Sequence, residues 1–186
     1  MKTALLLIDA QESFRQRPFW DVSELPAFVR NTQGLIDAAR ARGIPLLQVF
    51  HIAEGNPQSP FAPASGHVRT LEELDVAPTA VFHKTVHSSL FARAADGSTL
   101  QSWLEQHGIE QVIVTGIRTE QCCETTARHA SDSGYKVRFV TDATLTFAMQ
   151  SPAGKHYSPA EIRDCTELVL AGRFAQIVPA ARALDD

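Results

Sequence analysis

Short apolar runs recur along the chain, each of a length that suits one structural element. Most are rich in β-branched residues and are bounded by glycine, proline or polar clusters, which is typical of strands. The first run is almost continuously apolar, as in strands that are covered on both faces. We predict six strands, at Thr3 to Asp9, Ile44 to Phe50, Thr79 to Phe82, Gln111 to Thr115, Lys136 to Thr141 and Phe174 to Val178.

Apolar residues at helical spacing occupy four of the other segments. In the first, apolar residues from Phe28 to Ala39 share one face, and Gly43 ends the pattern. The last begins with Ser158-Pro-Ala-Glu161, a capping box with proline at the first helical position. We predict four helices, over Ser23 to Arg42, Ser98 to His107, Thr119 to Ser133 and Ser158 to about Ala171.

Two segments show no such period. His51 to Gly66 is rich in proline, glycine, serine and asparagine, and loops of that length tend to be functional or mobile. Leu145 to Tyr157 is irregular and contains proline and glycine. We expect this second segment to cover a site as a lid or to contribute to a subunit interface.

The order of the elements predicts the fold class. Strands and helices alternate, which predicts an α/β protein with three α/β/α layers and a doubly wound, mainly parallel sheet of about six strands. Residues 1–186 contain no repeat or linker, so we predict a single domain. Ligands of such folds bind beyond the carboxyl ends of strands, near the switch in strand order. The chemically active side chains at or just after such ends are Asp9, His51, Lys84, Cys122 and Asp142.

Composition narrows the classes of partner. The 186 residues are 44% hydrophobic and 20% charged, as in globular proteins, and the net charge is −4. Lysine and arginine form no run or stripe, so we expect neither nucleic acid nor a membrane as a partner. Asp9 ends the N-terminal apolar run before it reaches signal-peptide length, and the three cysteines make no disulfide framework. We therefore expect a cytoplasmic protein.

Cys122 follows a strand, a tight turn and the start of a helix. The β-branched run Val112 to Val114 stops before Gly116, Thr119 can cap the helix, and Cys122 falls in its first turn. The partial positive charge and free N–H groups of a helix N-terminus favour a thiolate, which would make Cys122 a nucleophile. The alternative is a buried cysteine that packs as a small hydrophobe, and this segment alone leaves both interpretations open.

Asp9 and Lys84 form a chemically sensible set with Cys122. A carboxylate can collect and return a proton while a thiolate attacks a carbonyl, and an ammonium can hold both anionic groups. The ammonium is also expected to lower the pKa of the thiol. Each residue alone has a structural alternative, because Asp9 could cap a loop and Lys84 could be a solvated surface lysine.

Four blocks of the chain carry a resemblance. Leu6-Leu-Ile-Asp-Ala-Gln-Glu-Ser-Phe14 has the form Asp-x-Gln-x-x-Phe, and His83-Lys84 is followed by Ser88-Ser-Leu-Phe91. Gly116-Ile-Arg-Thr-Glu-Gln-Cys-Cys-Glu-Thr-Thr-Ala127 has the form Gly-x-x-Thr-[Asp/Glu]-x-Cys-x-x-x-Thr-Ala, and Gly134-Tyr-Lys-Val-x-x-Val-x-Asp-Ala143 comes next. In content and order these blocks resemble the isochorismatase-like cysteine hydrolases, the superfamily that includes nicotinamidases. The resemblance spans nearly the whole chain.

The resemblance implies a role for each of these residues. Cys122 would be the nucleophile, Asp9 the proton carrier and Lys84 the activating cation. The family also has a non-proline cis peptide bond before the cysteine, here Ile117–Arg118. That bond would turn the main-chain N–H groups of Arg118 and Cys122 toward one point, as an oxyanion hole.

Departures from the family pattern narrow the range of reactions that the chain is expected to catalyse. Metal-dependent nicotinamidases carry Asp-x-His after the second strand, whereas this chain has Val49-Phe-His-Ile-Ala53 there. His51 and His67 without a carboxylate make a poor metal site, so we predict no catalytic metal and no cofactor. True isochorismatases cleave a vinyl ether and usually lack the cysteine, so Cys122 favours hydrolysis of an amide or a related C–N bond.

Several other residues have candidate roles. Arg118 could grip a substrate carboxylate or pair with Glu120 or Glu124, and we favour the pairing. Cys123 stands in place of a valine of the family and is expected to pack, and Asp142 is expected to cap the turn after its strand. For the aromatic members of the candidate substrate pocket, core packing or an oligomer contact is the alternative. That pocket comprises Phe14, His51, Phe91, Arg118 and Phe147.

The sequence thus predicts a cysteine-dependent hydrolase of a small amide or related C–N carbonyl substrate, acting through a thioester acyl-enzyme. The partner would be a small-molecule substrate, and a homo-oligomer is expected because the family commonly assembles. Two alternatives stay open: vinyl-ether hydrolysis by Asp9 without the thiol, and a non-catalytic interaction protein on the same fold. A nucleotide-binding domain is disfavoured because no Gly-x-Gly-x-x-Gly or Gly-x-x-x-x-Gly-Lys-[Ser/Thr] run follows Asp9.

Overall fold

The computed structural model describes residues 1–185, which contain eight strands and four α-helices. A π-helical turn, Thr119–Cys123, leads directly into the third helix. None of the helices within residues 1–185 combines the length and apolar character that crossing a bilayer would need. In chain order the elements are β1 (Thr3–Ile8), α1 (Leu25–Ala41), β2 (Leu46–His51), β3 (Ala80–Lys84), α2 (Leu100–Gln106), β4 (Gln111–Ile117), α3 (Glu124–Asp132), β5 (Lys136–Leu145), β6 (Met149–Gln150), β7 (His156–Tyr157), α4 (Pro159–Leu170) and β8 (Gln176–Ile177).

Six of the strands form one parallel sheet in the order β3-β2-β1-β4-β5-β8. The chain builds outward from β1 to β3 and then returns to the other side of β1 with β4. The strand order therefore switches between β1 and β4, which is where a doubly wound sheet binds its ligands. Helices cover both faces of the sheet, so the predicted α/β/α fold class is confirmed.

Alternate residues of β1 face two different hydrophobic cores. Leu6 and Ile8 pack in the core that contains α2, α3 and α4. Leu5 and Leu7 pack in the core that contains α1. Both faces of the strand are dry, which explains why its sequence is apolar at every position rather than at alternate ones.

Four strands extend further at their carboxyl ends than the sequence predicted: β2 by one residue, β4 to Ile117, and β3 and β5 as follows. β3 continues two residues beyond Phe82 and ends at Lys84, and β5 continues to Leu145. Asp142 therefore lies inside β5, where its Oδ1 accepts a hydrogen bond from the N–H of Ala180 at 2.9 Å. The prediction that Asp142 caps the turn after its own strand is wrong, because no turn follows it and its partner lies in the C-terminal segment.

The segment Leu145 to Tyr157, predicted to be irregular, contains an antiparallel hairpin of β6 and β7. Each strand is only two residues long, which is too short to show an alternating pattern in the sequence. The capping box at the start of α4 is confirmed, since the side chains and N–H groups of Ser158 and Glu161 bond reciprocally. The predicted lid or interface role of the hairpin stays a prediction.

Gly116 lets β1 and β4 approach closely beside the candidate site. Its φ is +125°, and a Cβ at this position would lie 1.9 Å from the carbonyl oxygen of Ile8. We expect Gly116→Ala to lower the free energy of unfolding by at least about 3 kcal/mol in urea denaturation. The matched control is Gly34→Ala at an exposed position of α1, where a Cβ meets nothing within 4 Å. It should raise stability by about 0.5–1 kcal/mol, so similar effects of the two changes would contradict this account.

Candidate active site

Asp9 leaves β1 in the left-handed backbone region, with φ of +49°. Aspartate tolerates this region better than most residues do. The N–H of Asp9 still donates to the carbonyl of Val49 on β2 at 2.8 Å, so the sheet holds the residue in place. Its side chain is completely buried, and a buried carboxylate needs a partner because an uncompensated charge in the interior is costly.

Lys84 is that partner and also contacts the thiol. Its Nζ donates to Asp9 Oδ2 at 2.7 Å and to Cys122 Sγ at 3.2 Å. The side chain of Lys84 is as fully buried as that of Asp9. Asp9 and Lys84 are 75 positions apart in sequence, and Lys84 and Cys122 are 38 apart, yet all three meet at the switch point of the sheet.

Cys122 lies on the π-helical turn rather than in a regular helix. It keeps 7% of its surface exposed, whereas Asp9 keeps none and Lys84 keeps 3%. A small molecule that approaches the site therefore reaches Cys122 before either charged partner.

Burial and the charge of Asp9 raise the pKa of the Cys122 thiol to about 12. Lys84 acts in the opposite direction, as expected, but it is outweighed by burial and by the charge of Asp9. The pKa of the thiol is thus raised above its ordinary value, opposite to the net direction that the sequence led us to expect, so the protonated thiol is favoured at neutral pH.

The side chain of Lys84 keeps its proton at neutral pH because its pKa is raised. Burial by itself would lower the pKa of Lys84, but its contacts with Asp9 and, after that, with Cys122 outweigh burial and the pKa is raised. The second oxygen of Asp9, Oδ1, has no hydrogen-bond partner within residues 1–185. That oxygen is a free acceptor for the proton that Cys122 must lose before it can act as a nucleophile.

The peptide bond Ile117–Arg118 is cis, as the resemblance predicted. It joins the end of β4 to the π-helical turn. The carbonyl of Arg118 accepts hydrogen bonds from the N–H groups of Gln121 and Cys123, both at 3.2 Å, which ties the bond to the turn that carries Cys122. The use of the Arg118 and Cys122 N–H groups as an oxyanion hole stays a prediction.

Arg118 is engaged within the protein. Its Nε lies 2.9 Å from Glu120 Oε1, and its guanidinium stands over the rings of Phe19 at 4.9 Å and Phe147 at 5.7 Å. Glu120 also accepts a hydrogen bond from Thr146 Oγ1 at 2.6 Å. The pairing of Arg118 with Glu120 is thus confirmed, and the guanidinium is held by partners on several sides.

The aromatic pocket candidates occupy three different environments. Phe147 is 1% exposed and packs against Phe19 and Trp20, which favours the core alternative, and its role as a pocket wall stays a prediction. Phe14 is buried edge-on against Phe61, and its substrate contact stays a prediction. Phe91 is 58% exposed and lies on the surface, which is the position expected of a pocket or contact residue.

His51 ends β2 directly beside Lys84 in the strand register. Burial and the charge of Lys84 lower its pKa, so the imidazole is neutral at neutral pH. Its ring nitrogen Nδ1 is buried and has no partner in the described part of the chain, residues 1–185. His51 therefore keeps hydrogen-bonding capacity close to the ion pair and remains a candidate pocket residue.

Gln11 is a functional candidate that the sequence analysis quoted without assigning it a role. Its side-chain amide donates to the carbonyl of His51 at 3.1 Å and accepts from the N–H of His51 at 2.8 Å. This pair, in which Gln11 is completely buried and His51 partly buried, fixes the end of β2 against the segment that follows Asp9. The available signal was a polar side chain directly after an apolar strand, inside the first of the four blocks.

A cleft of about 750 Å³ opens at the outer edge of β3. Phe91, Val86 and Arg93 line it, and Lys84 lies at its inner end. The side chain of Lys84 is nevertheless fully buried, so the cleft ends beside the ion pair without exposing it to solvent.

The remaining cysteines and histidines show no second reactive centre. Cys123 is completely buried in the core that contains α3, as expected of a packing residue, and all three cysteines are free. Within residues 1–185, no three histidine, cysteine, aspartate or glutamate side chains converge in a group that could hold a metal ion. The absence of a catalytic metal stays a prediction.

The fold and site define a doubly wound α/β protein with a buried carboxylate, ammonium and thiol at its switch point. The family described as Isochorismatase domain matches residues 3–173, and the chain belongs to this family of hydrolases. YrdC of Bacillus subtilis, an isochorismatase family protein, is 25% identical over 186 residues that cover 100% of this chain and 96% of YrdC. Nicotinamidase 3 of Arabidopsis thaliana is 29% identical over 194 residues, which cover 94% of this chain and 83% of the relative. The crystal structure of an isochorismatase-family protein from Chromobacterium violaceum superimposes with a TM-score of 0.84 at 28% identity, covering 97% and 90% of the two chains.

Proposed function

We propose that the protein is a cysteine-dependent hydrolase of a small amide or a related C–N carbonyl compound. The observation that carries the proposal is one buried ammonium in contact with both a carboxylate and a thiol: Lys84 Nζ lies 2.7 Å from Asp9 Oδ2 and 3.2 Å from Cys122 Sγ. A thiol forms a covalent acyl-enzyme most readily when a base beside it removes the proton and a cation stabilises the thiolate.

The first half of the proposed reaction forms a thioester. Asp9 takes the proton of Cys122, and the thiolate, held by Lys84, attacks the carbonyl carbon of the substrate. The carbonyl oxygen becomes an oxyanion that the N–H groups of Arg118 and Cys122 would stabilise. The C–N bond then breaks, and Asp9 returns the proton to the departing amine, so that the amine leaves neutral and the acyl group stays on sulfur.

The second half restores the thiol. Asp9 removes a proton from a water molecule, the oxygen of that water attacks the thioester carbonyl, and the C–S bond breaks. The proton returns to the sulfur of Cys122, and a carboxylic acid leaves. One amide and one water are consumed, one acid and one amine are produced, and no redox partner is needed.

The amide class of substrate is supported by two features. The thiol is chemically required for an acyl-enzyme but has no place in acid-catalysed vinyl-ether cleavage by Asp9 alone. In addition, a relative that aligns with 94% of this chain carries the name nicotinamidase. The chain lacks the Asp-x-His pattern of metal-dependent nicotinamidases, so the proposal extends to small amides in general rather than to nicotinamide in particular.

Cys122→Ala tests the proposal. We expect the wild-type protein to release ammonia or amine from at least one member of a panel of small amides that includes nicotinamide. Cys122→Ala should reduce this rate by at least about 10³-fold, because the covalent route is lost. Acid-quenched wild-type protein should show a mass increase equal to the acyl group, and Cys122→Ala should show none.

Isochorismate is the matched comparison substrate, because its vinyl ether would be cleaved through Asp9 without a covalent step. Cleavage of isochorismate at the same rate by wild type and Cys122→Ala, without any amide turnover, would contradict the proposal and support vinyl-ether hydrolysis. Turnover of neither substrate class, together with no acyl adduct from any amide of the panel, would support the non-catalytic alternative.

A further inference from the structure

Two blocks of the sequence contain hydroxyl residues for which the proposed reaction has no use. Ser88 and Ser89 follow Lys84, and Ser89 begins the short 3₁₀ turn Ser89–Phe91. Thr126 lies on α3, four residues after Cys122. The proposed reaction gives no role to the two serines or to Thr126. Ser89 and Thr126 are nevertheless hydrogen-bonded to each other in the structure.

Ser89 and Thr126 are joined by two hydrogen bonds with defined donors and acceptors. The N–H of Ser89 donates to Thr126 Oγ1 at 2.9 Å, and the same threonine hydroxyl donates to Ser89 Oγ at 3.1 Å. Ser89 and Thr126 are both completely buried. Further along α3, Ser88 Oγ forms a hydrogen bond with His129 Nδ1 at 2.7 Å. The hydroxyl of Thr126 thus acts as donor and acceptor toward one residue, which restrains both the distance and the angle between them.

We propose that Ser88, Ser89, Thr126 and His129 form a polar bridge that sets the position of Lys84 relative to Cys122. The inference rests on the proposed function, because it treats Lys84 and Cys122 as the pair whose spacing matters for the reaction. The bridge joins the segment four and five residues after the lysine to the helix that begins two residues after the cysteine. Its members are positioning residues, since none of them touches the reacting groups.

The energetics of the Lys84–Cys122 contact explain why such a bridge is useful. Hydrogen bonds that involve an ionised group are the strong ones, and their strength falls quickly when the donor and acceptor separate. A misplacement of about 1 Å in an active site can lower a rate by roughly 10²-fold. Apolar packing between the turn and α3 would allow small sliding, whereas paired hydroxyl and N–H groups in a dry core allow little.

The test reads the cation–thiol contact without a substrate. Cys123→Ala and Cys165→Ser leave Cys122 as the only thiol, and Asp9→Asn in the same background leaves Lys84 as the charged neighbour of the sulfur. Alanine suits position 123 because Cys123 is completely buried, and serine suits position 165 because Cys165 is exposed. The pH dependence of iodoacetamide alkylation, followed by intact mass, then gives the pKa of Cys122.

Three substitutions in that background distinguish a positioning role of the bridge from a general contribution to stability. Thr126→Val removes the bridging hydroxyl at nearly constant volume, and Thr126→Ser retains it. Thr115→Val is the matched control, because Thr115 is also buried and its hydroxyl donates to the carbonyl of Leu6 at 2.9 Å, away from the bridge. We expect Thr126→Val to raise the pKa of Cys122 by about one unit, a tenfold loss of thiolate at a given pH. Thr126→Ser and Thr115→Val should leave it within about 0.3 unit.

Equal pKa values in Thr126→Val and Thr115→Val would overturn the proposal and assign the bridge to general stability. Ser89→Ala provides a second reading if Thr126→Val folds poorly. It removes one of the two hydrogen bonds, so a smaller pKa rise in the same direction is expected, and no rise would count against the bridge. Because the assay needs no substrate, its failure is distinct from a failure of the proposed function, which would appear as absent amide turnover.

Discussion

Replacing Asp9 by asparagine is expected to speed alkylation of Cys122 and to stop turnover at the same time. Burial and the charge of Asp9 together hold the pKa of the thiol at about 12. Without that charge, the thiolate becomes the anionic partner of Lys84 and its pKa falls. At neutral pH we expect iodoacetamide to react on the order of 100 times faster than with wild type. Amide hydrolysis should fall by at least about 10²-fold, because the proton carrier is lost.

The pH profile separates this explanation from a general loosening of the site. In wild type, the alkylation rate should still be rising with pH well above neutrality, because most of the thiol stays protonated until the pH approaches about 12. In Asp9→Asn the curve should level off at lower pH. Asparagine also tolerates the left-handed backbone at this position, so the fold should be kept.

Asp142→Asn is the control for the Asp9 experiment. Asp142 is exposed and bonds to the N–H of Ala180 through an oxygen that asparagine retains. Alkylation and turnover should both stay at wild-type levels in this variant. An Asp9→Asn protein that alkylates no faster than Asp142→Asn would show that the charge of Asp9 does not govern the thiol.

Lys84→Met is expected to be the most destabilising single change in the site. The variant leaves the carboxylate of Asp9 buried without a counter-charge, and both side chains are completely inaccessible in the native protein. Breaking a buried ion pair in this way costs about 3–5 kcal/mol, so the free energy of unfolding in urea should fall by that amount. Amide turnover should be lost as well, because no cation remains to stabilise the thiolate of Cys122.

Two further variants show whether the uncompensated charge is the cause. Lys136→Met changes an exposed lysine and should alter stability by no more than about 0.5 kcal/mol. Asp9→Asn combined with Lys84→Met removes both charges, so it should recover much of the lost stability while remaining inactive. A double variant as unstable as Lys84→Met alone would mean that Lys84 stabilises the fold through packing rather than through its charge.

Local patterns in the sequence were sufficient for most of the architecture. The capping box at Ser158 and the apolar runs of the six-stranded sheet depend on residues close together in the chain, and all of them are present in the structure. The errors occur where long-range packing decides. β5 continues past Asp142 because Thr144 and Leu145 pair again with the end of β4 after a shift in register, and the β6–β7 hairpin is too short to be read from periodicity.

The candidate site shows the same contrast between features set by local sequence and features set by long-range packing. The positions of Asp9, Lys84 and Cys122 after three strands were visible in the sequence, and the resemblance supplied their candidate roles. The sequence left the role of Phe147 open, because an aromatic residue after a strand looks the same whether it faces a pocket or the core, and its burial favours the core. The contact between Ser89 and Thr126 could not be predicted, since it joins residues 37 positions apart that carry no complementary pattern.

The sequence by itself determined that a carboxylate, an ammonium and a thiol follow the strands of a doubly wound sheet, because strand ends, turns and caps are encoded by near neighbours. Only the tertiary structure decided how these groups share charge. One ammonium contacts both the carboxylate and the thiol in a dry interior, where burial and the charge of Asp9 raise the pKa of the thiol. That outcome depends on burial and on distances of 2.7 and 3.2 Å between residues 75 and 38 positions apart, which no local pattern records.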